Sequence, residues 1–456
     1  MGQSKDEKKL TLFALTWPIF IELLLHMVMG SADTLMLSQY NDNAVAAVGV
    51  SNQILQLVIV MFGFVATGTA IIVARHLGGK QNKTAAEIVM VSIGVNFIFS
   101  VILSGALLLF GELFLKAMKL PSELMDNALV YLQIVGGFSF MQALLMTIGA
   151  SLKSYSFTKD AMYVTIGINV LHIIGNYLLI FGIMGFPELG VKGAAISTVV
   201  SRLVGLIIIF ILLIKRIPQG LPFKQIRTLT KEHTSKLLKI GVPTAGEHIA
   251  YNTSQMMITV FVTTLGTTAI TTKVYTQNLM MFLLLFGVAI GQGTQILIGY
   301  LVGAGKQEKA YARCLKSLRS AMIVSTVMAI IFSVFSRELL GIFTKSPEII
   351  SLGSTLISLT IILEPGRSFN LVVINALRAA GDVKFPVYMG ILSMWGVAVP
   401  LAYLLTIHFN MGLSGIWIAF IVDEWLRGIL MLWRWRSRVW VNMRFIGSSS
   451  SARLTQ

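Results

Sequence analysis

Thr11 to Leu37 reads TLFALTWPIFIELLLHMVMGSADTLML, long enough to cross the roughly 30 Å hydrocarbon core of a bilayer as a tilted helix. Two acids lie inside it, Glu22 and Asp33. An acid near the centre of a membrane helix costs about 2.5–3.5 kcal/mol on insertion scales, so neither is there by default. Successive helical residues turn by about 100°, which brings residues 22 and 33 back to nearly one direction. Both acids therefore share a face with His26 and Met29. The expectation is a helix apolar on most sides, with one polar stripe facing a wet cavity. The structural alternative is that each acid pairs with another helix.

Composition widens that reading to the whole chain. Of 456 residues, 55% are hydrophobic and only 12% are charged, about half the charge of a soluble domain. This is the composition of a polytopic membrane protein. MGQSKDEKK is a charged start, and the apolar run behind it is too long for the core of a cleavable leader. The single cysteine, Cys314, excludes an intrachain disulfide framework and a cysteine-based metal site.

Apolar segments recur at roughly 11–37, 45–74, 88–115, 128–152, 161–186, 191–214, 238–265, 274–302, 317–344, 350–377, 385–407 and 412–433. The fold class expected is an all-α polytopic membrane protein of twelve transmembrane helices in two pseudo-symmetric six-helix lobes. The division is 1–216 for the first lobe, 217–236 for a polar linker, 237–435 for the second lobe and 436–456 for a tail. With the N-terminus in the cytoplasm, about 27 lysines and arginines fall on the cytoplasmic side and 6 outside. Lys5, Lys8, Lys9, Lys153, Arg378 and the tail's Arg444 and Arg453 count toward the inner group. That asymmetry predicts two cytoplasmic termini. It also assigns the net charge of +16 to topology and contact with anionic lipid rather than to nucleic acid.

The halves repeat each other in parallel. Pro18 matches Pro243, Glu22 matches Glu247, Gly68-Thr69 matches Gly293-Thr294, and Leu152-Lys153 matches Leu377-Arg378, all in one register. Internal duplication with a site between halves is a transporter design. Enzyme motifs are missing: there is no HExxH, P-loop or GxSxG, and no catalytic residue or cofactor is expected. Without a nucleotide site, an ion gradient must drive transport, and buried carboxylates are the natural handles for H+ or Na+. The first half offers Asp33, Glu22, His26 and Met29, with Asn169, His172 and Asn176 on one face of the fifth span. The second offers Glu247, Tyr251 and Gln255 on the seventh span. Glu364-Pro365-Gly366-Arg367 is expected to interrupt the tenth, with Glu364 and Arg367 paired at i, i+3. For Asn169, His172 and Asn176 the alternative is interhelical glue. Asp423, Glu424 and Arg427 of the last span, with Arg202 at a related place in the sixth, read as structural.

These features together resemble the multidrug and toxic compound extrusion (MATE) transporters. The residues that carry the resemblance are Pro18 with Asp33-Thr34, the paired loops GGKQN and GAGKQEKA, and LRAAGDVKFP after the tenth span. The resemblance implies a monomeric antiporter of a bacterial inner membrane, exporting cationic amphipathic small molecules in exchange for H+ or Na+. It implies two lobes that open alternately to each side. Asp33 falls on the family's first-span acid and Glu247 on its seventh-span acid. Asn176 stands where some members carry a fifth-span acid, and Arg367 stands at or near a tenth-span acid of others. Sodium, if it is the ion, would sit at Asp33 with Asn176 or at Glu247 with Glu364. Glu22, His26, Met29, Asn169, His172, Tyr251, Gln255 and Arg367 are the expected cavity residues. The alternative in the same superfamily is a flippase for lipid-linked precursors, for which Arg367 is the main candidate. A major-facilitator transporter and a membrane enzyme are the more distant readings.

Overall fold

The computed structural model describes residues 11–443, and every regular element among them is helical. Lys5, Lys8, Lys9, Arg444 and Arg453, which contribute to the charge asymmetry, lie outside the described residues. The first half supplies Leu12–Tyr40, Asp42–Gly78, Asn82–Ala117, a fourth span in two pieces, Thr158–Phe181 and Gly190–Arg216. The second supplies Lys231–Thr263, Thr267–Gly303, Gln307–Val334, Pro347–Ala380, Lys384–His408 and Gly412–Arg436. Among the described residues, nine helices are individually long and apolar enough to cross a membrane. The bent pair Ser122–Gly136 and Phe140–Ser154 makes a tenth. The two that complete the twelve are held back by what they carry. Lys231–Thr263 is rich in polar residues around Glu247, and Gly412–Arg436 contains Asp423, Glu424 and Arg427.

One expectation about a helix break is corrected. The tenth span is one continuous helix, Pro347–Ala380, with Pro365 inside it. Proline removes its own donor and crowds the carbonyl of residue i−4, yet the helix runs on, and the adjoining glycine serves close packing rather than an opening. A Cβ on Gly366 would lie 2.6 Å from the Trp425 ring, whose Nε1 donates to the Ile362 carbonyl at 2.9 Å. The breaks fall elsewhere. A π-type turn at Leu132–Gly136 precedes a 42° bend in the fourth span, and the eleventh contains two more, Met394–Ala398 and Leu404–His408.

The chain packs as two compact units. One is Ile21–Gly241; the other is made of the described residues up to Phe20 and those from Val242 on. The boundaries fall beside Pro18 and Pro243, the prolines aligned by the repeat. The first turns of the first span thus belong to the unit of the second half. The start of the seventh span, residues 231–241, belongs to the unit of the first half.

Each unit has its own core. In the first, Leu55, Phe62, Leu107, Leu132 and Ile180 are buried together; in the second, Ile298, Cys314, Val372, Ala376 and Trp435 are. Lipid is as apolar as these side chains, so close packing and interhelical hydrogen bonds carry the association. Asn96 of the third span supplies one such link, donating to Thr147 Oγ1 at 2.7 Å and to the Ala143 carbonyl at 3.1 Å.

Candidate functional site

In the first unit, Asp33 is 8% exposed, one turn short of the buried Leu37. Its Oδ1 accepts from Asn176 Nδ2 at 2.6 Å and lies 3.3 Å from His172 Nε2. His172 Nε2 is also 3.1 Å from Thr198 Oγ1 of the sixth span, and that hydroxyl donates to the Ala194 carbonyl. The imidazole therefore acts as donor from Nε2 toward both oxygens, leaving Nδ1 bare. Asn176 is fully buried, and its Oδ1 has no hydrogen-bond partner among the described residues. A carboxylate beside an unpartnered amide oxygen has the donor chemistry for Na+. The carboxylate alone serves for H+. Asn169 does not join them: its amide donates to the Thr165 carbonyl of its own helix at 2.8 Å.

Glu22, His26 and Met29 stand apart from Asp33. They line a cavity of about 50 Å3 together with Gln142, Thr165 and Arg202. Glu22 accepts from Lys153 Nζ with both oxygens, at 3.0 and 3.2 Å. The repeat reproduces this pair in the second unit, where Arg378 donates to Glu247. The two carboxylates and two cations occupy matching places, so each unit is clipped between its first and fourth helices by one ion pair. Lys153 and Arg378 are accordingly partners of half-buried acids rather than free loop cations.

The second unit concentrates its charge elsewhere. Arg367 donates to Glu364 at 2.7 Å and lies 3.5 Å from Glu424. Arg427 reaches Asp423 at 2.6 Å and Glu424 at 3.0 Å. Ser393 donates to Asp423 at 2.6 Å, and Asn370 donates to Glu424 at 2.8 Å. Three carboxylates therefore face two guanidiniums. Glu247 and Glu364 do not form a common cation site, because each is held by a different arginine. Arg367, the residue on which a flippase reading leaned, is neutralised between Glu364 and Glu424. Tyr251 is 42% exposed and within electrostatic reach of Arg367 and Glu424. Gln255 is half-buried, and its backbone carbonyl accepts from Thr259 Oγ1.

Sequence reasoning missed Lys153 and Arg378 as partners, although the register that aligns Glu22 with Glu247 also aligns them. It missed Thr198, Asn370 and Ser393 for lack of any signal, since single hydroxyls and amides on apolar helices are common.

Comparison with known proteins agrees with the duplication. The sequence model of the MatE family matches twice, over residues 18–178 and 243–404. A Bacillus subtilis protein described as the uncharacterized transporter YisQ is 57% identical over 435 residues, covering 95% of this chain and 96% of that one. A Thermotoga maritima protein described as probable multidrug resistance protein NorM is 28% identical, covering 94% of this chain and 92% of that one. Among solved structures, an outward-facing multidrug resistance MATE family transporter superposes with a TM-score of 0.88 at 18% identity. That match covers 97% of this chain and 100% of the other. At that identity the likeness is one of fold, that of twelve membrane-spanning helices.

Proposed function

The chain belongs to the MatE family of multi-pass membrane transporters, and from that premise we propose that it is a secondary active multidrug efflux antiporter. It exports cationic amphipathic compounds from the cytoplasm across a bacterial inner membrane in exchange for H+ or Na+. Both termini face the cytoplasm, and the working unit is a monomer in contact with membrane lipid. What carries the reading is Asp33, a buried acid on the first span held by Asn176 and His172. A proton or Na+ that enters there neutralises the carboxylate and weakens its hold on a cationic drug. Alternating exposure of the site to the two sides of the membrane then couples ion entry to drug exit, provided the two bind competitively. Asn176 bonds the acid without adding charge, so the site stays neutral when loaded.

The test is ethidium transport in inside-out vesicles under separately imposed H+ and Na+ gradients. One gradient should drive accumulation and the other should not. Ethidium that fails to accumulate under either gradient, with folded protein in the membrane, would overturn the antiport reading.

A further inference from the structure

The two units repeat the same helices but not the same charges, and the difference leaves an arginine with no carboxylate hydrogen-bonded to it among the described residues. In the register that aligns Lys153 with Arg378, Gln142 of the fourth span stands where the tenth has Arg367. The sixth and twelfth spans open alike. Gly190 and Gly412 have positive φ, +51° and +57°, and Gly193 and Gly415 each press on the backbone of the preceding span, where a Cβ would clash. That register places Arg202 at Glu424. In the second unit these positions hold Arg367 and Glu424, 3.5 Å apart. In the first they hold an amide and a guanidinium, which cannot neutralise each other.

Both carboxylates near Arg202 are engaged. Glu22 is bonded by Lys153. Asp33 lies within the electrostatic reach of Arg202, but its Oδ1 is taken by Asn176 and His172. Among the described residues no hydrogen bond or ion pair reaches the guanidinium, and its Nε is sealed from solvent. The cavity beside it measures about 50 Å3. A water's share of volume is about 30 Å3 and a drug pocket takes about 300–1,000 Å3, so the space suits one small group. A half-buried guanidinium with a sealed Nε and no hydrogen-bonded partner among the described residues is a costly arrangement, and an anion in that space relieves it.

We propose that this cavity binds a single small anionic group at Arg202, either the carboxylate of an amphoteric substrate or a free halide. The guanidinium fork accepts a carboxylate in bidentate fashion, and Gln142 offers a further donor. The substrate part of this inference rests on the transport reading; the site itself rests on the cavity.

Purified protein is titrated by fluorescence anisotropy with a rhodamine bearing a free carboxylate and with the methyl ester of the same dye. Wild type, Arg202→Gln and Arg202→Lys are compared. If the group is a substrate carboxylate, wild type prefers the acid. Arg202→Gln then lowers the acid-to-ester affinity ratio about ten-fold or more, and Arg202→Lys recovers part of it. If the group is a halide, replacing chloride by gluconate weakens ester binding to wild type but not to Arg202→Gln. Identical ratios in all three proteins with no chloride effect overturn the site. Should Arg202→Gln not fold, the acid–ester and chloride comparisons on wild type decide alone. Ethidium transport, measured in parallel, reports separately on the antiport reading, since a ratio shift without driven transport sinks that reading and keeps the site.

Discussion

Replacing Arg367 by glutamine should damage the protein far more than replacing its partner Glu364. The reason is the charge count of their network: Glu364, Asp423 and Glu424 against Arg367 and Arg427. Glu364→Gln leaves two carboxylates facing two guanidiniums. Arg367 still reaches Glu424 at 3.5 Å, and the new amide retains an oxygen for Arg367 to bond. The loss is one charge-assisted hydrogen bond, about 1.5–3 kcal/mol, offset by removal of the excess negative charge. Arg367→Gln instead leaves three carboxylates facing Arg427 alone. Unit charges about 4 Å apart interact by about 4 kcal/mol at an effective dielectric of 20, and breaking a buried pair from one side costs about 3–5 kcal/mol. Against a typical total of about 5–15 kcal/mol, that is a large share. The double variant, with two carboxylates and one guanidinium, should fall between. The assay is the fraction of monodisperse, detergent-solubilised protein surviving a temperature series, read by fluorescence-detected size exclusion. Equal losses for Glu364→Gln and Arg367→Gln would refute the reasoning, because the third carboxylate would then be compensated by something outside this network.

Other outcomes follow from the same geometry. Asp33→Asn should insert and fold normally yet reduce gradient-driven ethidium efflux to background, with Asp33→Glu retaining part of it. Wild-type rates in well-folded Asp33→Asn protein would move the coupling role to the network around Glu364. Cysteines placed at Asn41 and Ser346 should react with a membrane-impermeant maleimide added to intact cells, and one at Gln81 should not. The native Cys314 is buried and gives little background, so labelling at Gln81 would reverse the topology.

How much of this was readable beforehand depends on the kind of interaction. Helix periodicity and length depend on many residues at once, and they located eleven of the twelve helices to within about seven positions, while the ninth, expected at 317–344, lies ten residues earlier as Gln307–Val334. The neighbourhood of Asp33 with Asn176 was legible because an acid and an amide are both expensive in a membrane and so stand out. Helix continuity at Pro365 was not legible, since Pro-Gly marks equally a kink and a close approach. Only the position of Trp425, far along the chain, distinguishes them. The clips Glu22–Lys153 and Glu247–Arg378 were present in the repeat, but each joins residues a whole bundle apart, and sequence spacing alone does not say which helices touch.

The exchange of helix ends at Pro18 and Pro243 bears on how the molecule is made. A ribosome releasing the first half delivers Ile21 to Arg216, yet the unit they belong to lacks its last helical turns until residue 241 has emerged. The earliest segment, residues 12–20, must wait longer still, because its own unit has not been synthesised. Maturation of the first half therefore lags behind its translation. A gene split within the linker would yield two polypeptides that each hold a terminal piece of the other's fold, so they should accumulate when co-expressed and be degraded when expressed singly.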